Sequence, residues 1–163
     1  MANESFLSRA SMKFREGKKL AEEGKLEEAY KAFSISADCG NPKAMWAIAK
    51  LYLYRDFRKV KVTNLGELLF SGRPIFPWSL EIREEIDYRT ALMWCLKAAD
   101  NGHAAAALAA GAFLCSGYGH IRDMERGLQL IKKAVNADVP GAVEAYGDFV
   151  KRRDEGTDSP ETK

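Results

Sequence analysis

Apolar residues recur at helical spacing almost everywhere along this chain, and strict apolar–polar alternation is nearly absent. The periodicity predicts seven helices: Ser11–Glu23, Leu26–Asp38, Pro42–Tyr54, Asp87–Asp100, Ala104–Ser116, Asp123–Ala137 and Gly141–Arg152. The breaks between them carry fitting punctuation. Gly40 and Gly102 follow helix ends, where a left-handed backbone is easiest for glycine, and Pro42 and Pro140 stand at or just before helix starts, where a missing N–H costs nothing.

Three stretches then align without gaps: 28–53, 90–115 and 126–151. Ala29, Ala91 and Gly127 share one column, and Phe33, Cys95 and Ile131 another. Further columns hold Ala44, Ala106 and Ala142, then Ala47, Ala109 and Ala145, then Leu51, Phe113 and Phe149. The small residue of the following helix, at Ala49, Gly111 and Gly147, always falls 20 positions after the first small residue. Small and large residues alternating at fixed columns are what two helices need to cross closely. The chain is therefore expected to be a helical repeat protein.

The segment 102–138 resembles a Sel-one-like repeat: a small-residue-rich helix, a Gly-rich turn at 117–120, an Asp, then a second helix. The stretch 87–103 matches the second half of that pattern through Asp87, Ala91, Trp94, Lys97, Ala98, Ala99, Gly102 and His103. The opening, 14–42, is more similar to a tetratricopeptide unit, through Gly17, Leu20, Gly24, Ala29, Phe33 and Pro42. Both resemblances imply the same all-α fold. It is a right-handed α-α superhelix of about three helix-pair repeats with a C-terminal capping helix. Residues 1–153 read as that one domain and 154–163 as a disordered tail, of which Gly156–Lys163 should be removable without loss of stability.

The regularity breaks once. Between the small residues of paired helices the step is 16 residues from Gly111 to Gly127 but 42 from Ala49 to Ala91, an excess of 26. This places an insertion in repeat two at about 55–80. The segment is rich in apolar and aromatic residues and carries a net charge of +3, with a short helix expected over Thr63–Phe70. Three readings stay open: its apolar residues fold back over the superhelix, Phe70–Trp78 presents aromatics to a partner, or the basic run Arg55–Lys61 touches phosphate.

Composition narrows the class without naming a partner. The 163 residues suffice for one domain, and 47% hydrophobic with 29% charged residues is ordinary for a globular protein. A net charge of +2 gives no signal for nucleic acid, and no apolar run is long enough to enter a membrane. The N-terminal stretch lacks the continuous apolar core of a secretory signal. Three cysteines, Cys39, Cys95 and Cys115, form no paired motif and lie within apolar helical patterns. Reduced thiols without a leader point to the cytoplasm, and with only His103 and His120 beside them no metal site or cofactor is expected. No nucleophile–base motif is present.

The expected function is a non-enzymatic adaptor or scaffold that binds another protein or peptide through the concave groove and the insertion. The alternatives are a small enzyme or small-molecule binder with a pocket under the insertion, or an immunity-type protein that neutralises a toxin by tight binding. In the superhelix that the resemblance implies, inward-facing positions relative to the small-residue column assign the partner site to Lys43, Trp46, Lys50, Leu53 and Tyr54, joined by Arg58, Lys59, Phe76 and Trp78 of the insertion. Aromatics give contact area at low entropy cost, and lysines steer an acidic segment. Trp46 has a competing reading as core between repeats.

Overall fold

A computed structural model of the chain describes residues 2–53 and 88–156. Among them every regular element is a helix: α1 (Ala2–Glu22), α2 (Leu26–Asp38), α3 (Pro42–Leu53), α4 (Tyr88–Asp100), α5 (Ala104–Ser116), α6 (Met124–Asn136) and α7 (Ala142–Asp154). None is long and apolar enough to cross a membrane. The insertion at about 55–80, its expected short helix and the last residues of the tail lie outside the described residues.

Local chemistry sets the helix ends. Asp123 caps α6 by accepting a hydrogen bond from the Arg126 N–H at 3.0 Å. At α3 the Asn41 side chain accepts from the Lys43 N–H at 3.0 Å, with Pro42 in the first helical position. Gly102 ends α4 with φ of 87°; its N–H donates to the Ala99 carbonyl while His103 N–H donates to Ala98, the paired bonds of a Schellman close. The chain then enters α5 through His103, whose Nδ1 accepts from Ala106 N–H at 3.2 Å. His103 is thus the cap of that helix.

Each helix packs mainly against its neighbours in sequence, and α3 meets α4 directly. Two buried clusters result. The larger runs from Ala21 of α1 through α2, α3 and α4 to Phe113 and Leu114 of α5; the smaller joins α5, α6 and α7 around Leu108, Ile131 and Phe149. Helix α5 belongs to both, and eleven of its thirteen residues are buried. A helix apolar all round is what a position between layers requires.

Two of the shared-column residues, Gly111 and Gly127, mark where α5 and α6 approach. A Cβ built on Gly111 would stand 2.6 Å from the Gly127 carbonyl oxygen, and one on Gly127 would stand 2.4 Å from Cys115 Sγ. The Gly111–Gly127 step is therefore a backbone-to-backbone crossing of α5 and α6. At the other end, Gly17 of α1 packs on the Phe33 ring, where an added Cβ would come within 2.6 Å. A polar thread joins the first three helices: buried Ser36 donates to the Ala10 carbonyl at 2.7 Å and accepts from Asn41 Nδ2 at 3.0 Å.

Helix α1 begins at Ala2, well before the expected Ser11. Its first turns leave Phe6 and Leu7 exposed, so they follow no amphipathic period that the sequence pattern would register. The turn 117–120 also does more than connect. Gly117 (φ 76°) and Gly119 (φ 72°) are both left-handed, and Tyr118 stacks on Tyr88 of α4 with ring centroids 4.9 Å apart. An added Cβ on Gly119 would lie 2.5 Å from the Tyr88 carbonyl.

Candidate functional site

The expected partner residues divide sharply by position. Lys43 is exposed in the first turn of α3. Trp46, Lys50 and Leu53 are buried, at 5%, 4% and 5% exposure. Tyr54, Arg58, Lys59, Phe76 and Trp78 lie outside the described residues. The reason is the setting of α3: it packs against both α2 and α4, and nine of its twelve residues are buried. A helix assigned to line a groove is clasped between two others.

What the structure gathers around Trp46 is unusual for a core. One helical turn on, the Lys50 ammonium lies over the indole, with Nζ 5.2 Å from the ring centroid. From the start of α5 the His103 ring approaches the same indole at 5.8 Å between centroids, tilted by 40°. The Trp46 indole nitrogen is buried without a hydrogen-bond partner. Buried donors almost always find an acceptor, so this one stands out. The adjacency of Trp46 and Lys50 follows from their spacing on one helix. The arrival of His103, from far along the chain, had no local signal.

Electrostatics set the protonation of the group. Burial pulls the Lys50 amine down to about 7, aided by repulsion from Lys18 of α1 and opposed by Cys95 of α4. Burial, then Lys50, lowers His103 to about 4; Lys43 adds to the effect and a backbone hydrogen bond opposes it. Cys95 is fully buried, which pushes its thiol well above the usual range, and burial raises Cys115 to about 12. These thiols stay protonated at neutral pH and are poor nucleophiles. Cys39, Cys95 and Cys115 are all free, and among the described residues no three of His, Cys, Asp or Glu gather as metal ligands. His120, at the exposed end of its turn, has Nδ1 2.8 Å from the Ile121 carbonyl.

His103 yields a direct test. It stays neutral in the fold down to about pH 4, whereas an unfolded chain protonates its histidine near 6.5. The unfolded state therefore binds more protons between these values, and stability is lost as pH falls through that window. His103→Asn keeps a capping side chain and removes the titration. Against this variant, the wild type should lose about 1–3 kcal/mol between pH 6.5 and 4 in urea melts. Parallel stability curves would mean that the imidazole is freely solvated.

Four of the nine expected site residues are thus placed, and three of those four, Trp46, Lys50 and Leu53, are buried in α3 rather than lining an open groove. The chain matches no protein-family model, and no curated protein matches it.

Proposed function

We propose that this chain is a helical-repeat interaction module, a right-handed superhelix of paired helices that binds another protein and carries out no chemistry itself. The observation that carries the reading is close helix packing at small residues along the chain: Gly111 on Gly127, which belong to the repeated columns, and Gly17 on Phe33 at the other end. Helices that pack chiefly on their sequence neighbours make an elongating stack whose product is surface rather than an enclosed cavity. Protonated, buried thiols support a binding role over a nucleophilic one, and three free cysteines fit a reducing, cytoplasmic setting. The partner surface in this reading runs from Lys43 and the Trp46 region through Tyr54 towards the insertion, with Arg58, Lys59, Phe76 and Trp78 contributed by the segment that interrupts the repeats.

The test is capture of the tagged full chain from an extract of the cells that make it, followed by mass spectrometry. One discrete protein at stoichiometric yield is the expected result. A preparation that instead carries a stoichiometric small molecule, seen by native mass spectrometry, overturns the reading in favour of a ligand binder.

A further inference from the structure

Helices α1 and α7 end the packing order: α1 packs mainly on α2, and α7 mainly on α6. Each docks by one stripe, through Ala10, Gly17 and Ala21 in α1 and through Ala142, Ala145 and Phe149 in α7. The opposite face of each helix is left to solvent, and its charges are ordered. Arg15, Lys19 and Glu22 stand at i, i+4 and i+7 on the outer face of α1, all exposed. Glu144, Asp148 and Lys151 stand at the same spacing on the outer face of α7, also exposed. From N- to C-terminus the first stripe runs positive, positive, negative and the second negative, negative, positive. Arg15, Glu22, Glu144 and Asp148 enter no ion pair among the described residues. Lys19 adds potential at Glu23, and Lys151 meets its own neighbour Glu155 at 3.8 Å, both side chains well exposed. Near the start of each stripe stands one exposed apolar residue, Met12 at 55% and Val143 at 66%. A Cβ on Gly147 would meet nothing within 4 Å, so the outer face of α7 is open to a close approach.

We propose that the outer face of α1 on one copy of the chain docks against the outer face of α7 on another, so that the protein associates with itself end to end. Charge complementarity selects both the partner and its orientation. With the two helices parallel, Arg15 faces Glu144, Lys19 faces Asp148 and Glu22 faces Lys151, three opposite-charge pairs in one register. Antiparallel, Arg15 would face Lys151 and Glu22 would face Glu144, like against like. Two different surfaces meet, so the contact is head-to-tail and adds copies in a row. Exposed ion pairs are individually weak and are screened by salt. The association is therefore reversible and belongs to high protein concentration and low ionic strength. Neither Lys43 nor the insertion takes part, so this contact goes beyond the protein-binding reading above and stands or falls apart from it.

Sedimentation equilibrium of the full chain, at up to about 1 mM protein in about 20 mM salt, should show a mean mass that rises with concentration. Raising the salt to about 0.5 M should weaken the association about tenfold or more. The paired reversals Glu144→Lys with Asp148→Lys, and Arg15→Glu with Lys19→Glu, should each leave a monomer, because two of the three matched pairs then repel. Mixed in equal amounts, the two variants should associate again, since their reversed faces complement each other. Lys132→Glu with Lys133→Glu, exposed on α6, changes the net charge as much and should associate as the wild type does. A wild type that stays monomeric throughout, a reversed variant that still associates, a mixture that does not, or an equal loss in the α6 control overturns the proposal. Should a double reversal fail to fold, as its thermal melt reveals, the single reversals Asp148→Lys and Lys19→Glu take its place in the same comparison.

Discussion

Gly111→Leu should destabilise the protein by about 3 kcal/mol, lowering its melting temperature by about 6–12 °C for a chain of this size. The glycine lies mid-helix in α5, where a larger residue would ordinarily gain about 1 kcal/mol of helix propensity. That gain is overwhelmed at this site. The first side-chain atom would stand 2.6 Å from the Gly127 carbonyl oxygen and 2.6 Å from Ile131 Cγ1. The backbone oxygen cannot swing aside without moving α6, and α6 is held through Leu128, Ile131 and Ala134 in the second core cluster. Gly127→Ala meets the reciprocal obstacle, with Cys115 Sγ at 2.4 Å and the Gly111 carbonyl at 2.7 Å.

Gly147 is the control that gives this result its meaning. It occupies the same sequence column in α7, yet a Cβ there would meet nothing within 4 Å. Its backbone is helical and its position exposed. Gly147→Ala should therefore stabilise by about 0.5–1 kcal/mol, through helix propensity and a less flexible unfolded chain. One column then gives opposite signs at two positions, according to whether a helix crosses there. If both substitutions lie within 0.5 kcal/mol of wild type in denaturant melts, the column does not mark helix crossings.

The same contrast explains what could be read from the residues alone. The spans of α2 and α5 are as expected to the residue, because Gly24 and Gly40 bracket α2 while His103 and Gly117 cap α5. The columns were legible because a close crossing tolerates only Gly or Ala, and that restriction leaves a periodic trace. The first turns of α1 left none, since Phe6 and Leu7 point to solvent and the helix there is carried by continuity with the docked part around Ala10. Lys50 was misplaced on the surface side of α3 for a plain reason. Lysine is almost never fully buried, so a sequence pattern assigns it to water by default. Only the clasping of α3 between α2 and α4 reveals the exception. Nor could any local pattern bring His103 to Trp46, since that contact is made where α4, packed on α3, ends and passes the chain to α5.

Burial of Lys50 carries the second large effect, which depends on pH. The folded amine releases its proton at about 7, while in the unfolded chain it does so near its ordinary 10.5. At pH 6 both states hold the proton and the fold bears the net cost of burying the ammonium. Between about 7 and 10.5 the native state binds fewer protons than the unfolded one, so stability rises with pH by about 1.4 kcal/mol per unit from this group. Above that window the contribution is constant. Lys50→Met keeps an unbranched chain of similar reach over the Trp46 ring and has nothing to titrate. The variant should thus exceed the wild type in stability by several kcal/mol at pH 6, and the two curves should converge as pH climbs towards 10. Attraction between the ammonium and the indole face opposes the effect by about 0.5–2 kcal/mol, too little to reverse its sign. Urea melts of both proteins at half-unit pH intervals measure the difference, which cancels every other titrating group. Convergence locates the amine inside the fold beside Trp46, whereas a constant offset would mean that its charge reaches water at every pH.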